Sequence, residues 1–137
     1  MPIATRSGQH KKVNDWAFAQ MGNGILSFGS VFPFDADCFD ELYRIKSMGL
    51  KGIKLHPDYQ YFDVDDKKLY PLYYEISKLG LPVLFHTGFD PVSINHTHCE
   101  PEALRRVAED FSDMKIIAAH FGGNYMYSKA LRYILTA

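Results

Sequence analysis

The 137 residues contain only two cysteines. Cys38 lies in a stretch patterned as a helix and Cys99 just before Pro101, with no CxxC spacing, so neither a disulfide framework nor a zinc knuckle is expected. Both read as reduced bystanders. An excess of positive charge is also missing: 15 Lys and Arg stand against 16 Asp and Glu, for a net charge of -1. Without a basic stripe to neutralise phosphates, nucleic acid is not an expected partner. No apolar run approaches the roughly 20 residues of a membrane span. The opening MPIATRSGQHKK lacks the long apolar stretch of a signal peptide, so the chain reads as cytoplasmic, with no membrane partner. Linkers, charge runs and low-complexity segments are missing as well, which makes residues 1–137 a single expected domain.

What is present is an ordinary globular composition, 47% hydrophobic and 23% charged, arranged in a repeating pattern. GILSFGSVFP (24–33) reads as a strand that stops at Pro33 and leads into DADCFDELYRIKSMG, a helix with capping-type Asp residues at its start and Gly49 at its end. KGIKLHP (51–57) then precedes a helix within 65–80, and PVLFHTG (82–88) precedes one over 100–111. KIIAAHFGG (115–123) precedes a last helix around 125–135. Pro71 is tolerated only in a first turn, which moves the start of its helix to about Leu69. The opening nine residues read as the tail of a further strand, followed by a helix from His10 to Met21. Strands alternating with helices at a repeat of about 30 residues mean βαβ units, a parallel sheet and right-handed crossovers.

In such a sheet, ligands gather at the carboxyl ends of the strands. His56, His86 and His120 all fall there. Strand alternation places Pro82, Leu84 and His86 on one face, and Ile116, Ala118 and His120 on one face. If Val83, Phe85, Ile117 and Ala119 face the helices, His86 and His120 point to the same inner space. The same logic sets Ile53 and Leu55 against the helices and leaves Lys54 and His56 inside, where a lysine needs a partner. Neutral imidazole is a common zinc ligand, and a second imidazole nearby can act as a general base. Gly88 and the Gly122–Gly123 pair suit tight turns beside a ligand. Asp58, Asp90, His96 and His98 occupy the loops on the same face; Asp90 and His98, with His56, are the candidate substrate-binding residues. Tyr59, Tyr61, Phe62 and Phe89 are available either to line a pocket or to pack in the core.

GLKGIKLHPDYQYF, LGLPVLFHTGFDP and FSDMKIIAAHFGG, in that order and spacing, resemble the amidohydrolase-related family of metal-dependent hydrolases. That group also includes aminocarboxymuconate-semialdehyde-type decarboxylases. PIATRSGQHKKVNDW and SFGSVFP resemble its second and third strand regions. The resemblance implies a (β/α)8 TIM barrel holding a divalent metal, usually zinc, that activates water against an amide, ester or lactone carbon of a small-molecule substrate. Its ligands are an HxH pair ending the first strand, a His ending the fifth and an Asp ending the eighth. The His ending the sixth strand activates the water or joins the ligands. His86 matches the fifth-strand ligand, and His120 the sixth-strand His in both of its roles. Lys54 lies on the fourth strand, where binuclear relatives carry a bridging carboxylated lysine; that role is not carried over.

The pattern also departs from the family. HTH at 96–98 follows the fifth-strand position and is not the first-strand HxH, and no eighth-strand Asp follows before Ala137. The expectation is therefore a partial barrel, from about the end of strand 2 to helix 6, inactive by itself. A non-catalytic half-barrel that self-associates through its open edges is the second reading. A flavodoxin-like nucleotide domain is a third, disfavoured because GNG at 22–24 precedes a strand and not a helix.

Overall fold

The computed structural model describes residues 1–135. In chain order its regular elements are α1 (His10–Ala19), α2 (Cys38–Ser47), β1 (Ile53–Leu55), α3 (Pro57–Gln60), α4 (Tyr70–Lys78), β2 (Val83–Phe85), α5 (Pro101–Asp110), β3 (Ile116–Ala118) and α6 (Tyr127–Ala130). The strands form one parallel sheet in the order β1-β2-β3, with Ile53 opposite Val83 and Val83 opposite Ile116. Strand, helix, strand, helix, strand is the βαβ arrangement that the periodicity requires. Among the described residues no helix is long and apolar enough to cross a membrane.

Local chemistry sets the helices. In α2, Asp40 and Glu41 occupy the first turn and Arg44 and Lys46 the last, each complementing the helix dipole, while Leu42 and Ile45 turn inward. Pro101 opens α5, and its Ala103, Leu104 and Val107 are buried. Pro71 fixes the start of α4 at Tyr70, after a 3-10 turn over Lys67–Leu69 in which the Asp66 carboxylate accepts the Lys68 N–H at 2.9 Å. The expected last helix is a short α6 followed by a π-turn over Leu131–Leu135.

The core lies between the sheet and these helices. Ile53 and Leu55 of β1 and Val83 and Phe85 of β2 are completely buried there with Leu42, Ile45, Leu104 and Val107. Burying each such side chain contributes about 1.5–3 kcal/mol. The expected facing of β3 is reversed. The register puts Ile116 and Ala118 beside Val83 and Phe85, packed on the core, while Ile117 is 43% exposed on the opposite face. Side chains that pair across parallel strands share a face, so β2 dictates the facing of β3.

Residues 24–33 do not form the expected strand. They pair with β1 at one parallel bridge, Gly29 to Ile53, held by Gly29 N–H to Gly52 O at 2.9 Å and Lys54 N–H to Gly29 O at 2.7 Å. Beyond that point side chains replace the ladder. Asn14 of α1 accepts the Ser30 N–H at 2.8 Å and donates to Ser30 O at 2.9 Å. Gln60 of α3 donates to Val31 O at 2.8 Å and to Ala4 O at 2.7 Å. Residues 1–9 are likewise not a strand; Ala4 is pinned by Gln60 and by Ser30 Oγ, which accepts its N–H at 3.1 Å. Two buried amides thus satisfy backbone groups that a ladder otherwise would.

Candidate metal centre

His56 and His86 immediately follow β1 and β2. The next step of the register after Leu55 opposite Phe85 brings them side by side. Their rings stack with centroids 4.0 Å apart and 12° between planes, and Tyr59 stacks on the outer side of His56 at 3.8 Å. The His56 N–H is fixed by Gln60 Oε1 at 2.9 Å, and the His86 N–H by Leu55 O at 3.1 Å. Asp90, in the loop after β2, completes the group. Its Oδ1 accepts the Val92 N–H at 2.9 Å, and its Oδ2 lies 3.6 Å from both His56 Nε2 and His86 Nε2. All three residues are buried, and one ligand atom from each lies within 4.8 Å of the others.

His120 joins the group by a route that alternation does not foresee. With Ile117 and Ala119 on the inner face, His120 would continue toward the helices. Instead the backbone turns through positive φ at His120 (57°), Phe121 (54°) and Gly122 (84°). Such conformations cost about 1–2 kcal/mol for each residue with a Cβ. The turn brings His120 Nε2 to 3.1 Å from His86 Nδ1, and the two share a hydrogen bond. Gly88 supports the same rim. Its backbone pairs with Asn124 at φ +92°, and a Cβ there would stand 2.2 Å from Asn124 N, so no other residue fits.

Electrostatics separate these groups from ordinary surface histidines. Burial drives the His56 pKa down to about 3, aided by His86 and Lys54 and opposed by Asp90. The His86 pKa is lowered, again first by burial and then by His120. Lys54, on the inner face between Ile53 and Leu55, is pushed down to about 8 by burial, and no carboxylate pairs with it among the described residues. Among the described residues, His56 Nδ1 and His86 Nε2 are buried with no hydrogen-bond partner, which costs about 1–3 kcal/mol for each. Neutral imidazoles with unpaired lone pairs beside a carboxylate form a nitrogen and oxygen donor set suited to a divalent transition metal.

Of the expected site residues, the structure brings together His56, His86, Asp90 and His120, with Lys54 on the same face. His98 stands apart. Its Nδ1 donates to Asp58 Oδ1 at 3.1 Å, and with His96 and Asp63 it forms a second cluster. Of the four aromatic residues, Tyr59 reaches the site; Phe62 is in the core, Tyr61 in solvent, and Phe89 packs edge-on to Tyr125. Gln60 and Asp63 carry no sequence signal, because Ala4 and Val31, which Gln60 bonds, and His96, which Asp63 bonds, lie far away along the chain.

A family model described as Amidohydrolase matches residues 3–135. No curated protein matches the sequence significantly. Among solved structures, an uncharacterised TIM-barrel protein, Bb4693 of Bordetella bronchiseptica, superposes with a TM-score of 0.65 at 24% identity, over 90% of this chain and 46% of its own. The 5-carboxyvanillate decarboxylase LigW of Sphingomonas paucimobilis gives 0.64 at 18%, over 90% and 47%. The apo form of Metarhizium anisopliae IDCase gives 0.62 at 15%, over 82% and 37%. The chain therefore spans less than half the length of these structures, and it shares their fold in part.

Proposed function

The chain belongs to the amidohydrolase family, and from that premise we propose that it forms, as one unit over 1–137, the metal-holding and proton-handling portion of a metal-dependent hydrolase acting on a small-molecule amide, ester or lactone. The observation that supports this is the buried, unpartnered Nε2 of His86, 3.6 Å from Asp90 Oδ2. Folding tolerates that cost where a cation supplies the missing partner.

His86 Nε2, Asp90 and His56 are the residues that would hold the ion, and zinc suits their donor types. When bound, such an ion acidifies coordinated water and polarises a carbonyl oxygen. With a proton on Nδ1, His86 donates to His120 Nε2 and keeps its Nε2 lone pair free. His120 can take up and return a proton at Nε2, the general acid and base role, only when this hydrogen bond opens and frees that nitrogen. Tyr59 and the paired imidazole faces wall this space against water on one side. Decarboxylation is the second reading, favoured by Lys54: an unpaired buried amine on the inner face suits a substrate carboxylate. LigW, similar in fold, is named as a decarboxylase. The open edge of β3 is also available to a second copy of the chain.

Equilibrium dialysis against zinc, read by elemental mass spectrometry, tests the proposal. His86→Ala should release one equivalent that the unaltered chain retains; equal retention would refute the assignment. Binding of an aromatic carboxylic acid that is lost in Lys54→Met would select decarboxylation, whereas lactone or amide binding that survives this change would select hydrolysis.

A further inference from the structure

The loops after β1 and β2 carry a second group of donors that the site above does not use. His96 Nε2 lies 2.6 Å from Asp63 Oδ1, and the rings of His96 and His98 meet edge-on with centroids 4.5 Å apart. One ligand atom each from Asp63, His96 and His98 lies within 4.8 Å of the others. Behind them stands Asp58, completely buried. Its Oδ1 accepts the His98 Nδ1–H at 3.1 Å, while its Oδ2 is buried with no hydrogen-bond partner among the described residues. A buried carboxylate left half-satisfied calls for positive charge close by.

A carboxylate on one ring nitrogen of a histidine fixes the tautomer and raises the basicity of the other nitrogen. With Nδ1–H held by Asp58, His98 keeps its lone pair on Nε2. His96 and Asp63 add a second imidazole and a carboxylate, and together the three give two nitrogen donors and one oxygen donor. They line a cleft of about 280 Å³ with Asp65, Glu100 and Glu102, whose charge favours cations, although Arg106 pairs with Asp65 and Lys129 with Glu100. The loops are already joined by one backbone hydrogen bond, Val64 N–H to His98 O at 2.9 Å.

We propose that Asp63, His96 and His98 form a second divalent transition-metal site of the zinc class, backed by Asp58, which clamps the loop after β2 onto the loop after β1. It shares no ligand with the His56, His86 and Asp90 group and needs no catalysis for its role. The clamp ties Asp63 to a histidine more than 30 residues away along the chain.

The test uses the full chain and Zn²⁺ or Cu²⁺ alone. In the unaltered protein, substoichiometric Cu²⁺ should broaden the amide resonances of Thr97 and Ala103; broadening confined to Gly88, Ala119 and their neighbours would overturn the proposal. By calorimetry, a Zn²⁺ binding event should persist in His86→Ala. That event should weaken at least tenfold in His96→Ala, an exposed position where folding is not at risk, and about 10–100-fold in Asp58→Asn. Unchanged affinity in His96→Ala, or loss of all binding in His86→Ala with the fold intact by circular dichroism, would overturn it.

Discussion

Gln60→Leu is the substitution whose effect the structure specifies most closely. Gln60 is 1% exposed, and its amide makes three hydrogen bonds to backbone: it accepts from His56 N–H and donates to Ala4 O and Val31 O. Leucine keeps the volume and removes every one of these bonds. Three buried backbone groups are then orphaned at about 1–3 kcal/mol each, giving about 3–9 kcal/mol of destabilisation. That is a large share of the roughly 5–15 kcal/mol that a domain has in total. His56 also loses the contact that sets its backbone, so zinc affinity should fall with stability. Urea unfolding followed by circular dichroism measures the first effect, and calorimetry with zinc on the folded variant the second. A loss below about 1 kcal/mol would refute the reasoning, because it would mean that these carbonyls find other partners at no cost.

Gly88→Ala sets a Cβ 2.2 Å from Asn124 N at φ +92°, and overpacking with left-handed strain should cost about 3 kcal/mol or more in urea unfolding. The Cys38 thiol, pushed up to about 12 first by burial and then by Asp35, should resist a thiol-reactive dye at pH 8 until the chain unfolds; labelling in native buffer at a free-thiol rate would contradict its burial. His56 titrates near 6.5 when unfolded and at about 3 when folded. Between those values the unfolded state binds the extra proton, so stability is present above pH 6.5 and declines as pH falls toward 3. Metal-free chain should lose about 2 kcal/mol from His56 alone between pH 7 and pH 5, and a pH-independent urea midpoint over that range would exclude a buried neutral His56.

The alternation of strand and helix was legible because its signals are local: Pro71 and Pro101 mark helix starts, and the three apolar runs each contain their strand. The facing of β3 was not, since Ile-Ile-Ala-Ala contains no polar residue to break the symmetry, and its partner β2 decides the matter. Residues 24–33 have strand composition, yet their backbone is held by Asn14 and Gln60, contacts that no local pattern reveals. In the site, His56 and His86 follow from register alone. His120 arrives through two non-glycine residues at positive φ, of which the following glycines are the only trace in the sequence. The HTH at 96–98, which is not the first-strand HxH pair, meets Asp58 and Asp63, both supplied by the segment after β1.

The most direct measurement is the long-range proton–nitrogen correlation spectrum of the histidine rings as zinc is added to the metal-free chain. A shift of the His86 Nε2 resonance to the range of a metal-bound nitrogen, with Nδ1 keeping its proton toward His120, is the expected result. A His86 ring unmoved at saturating zinc, while the protein stays folded, would contradict the assignment of His56, His86 and Asp90 as a metal-holding group.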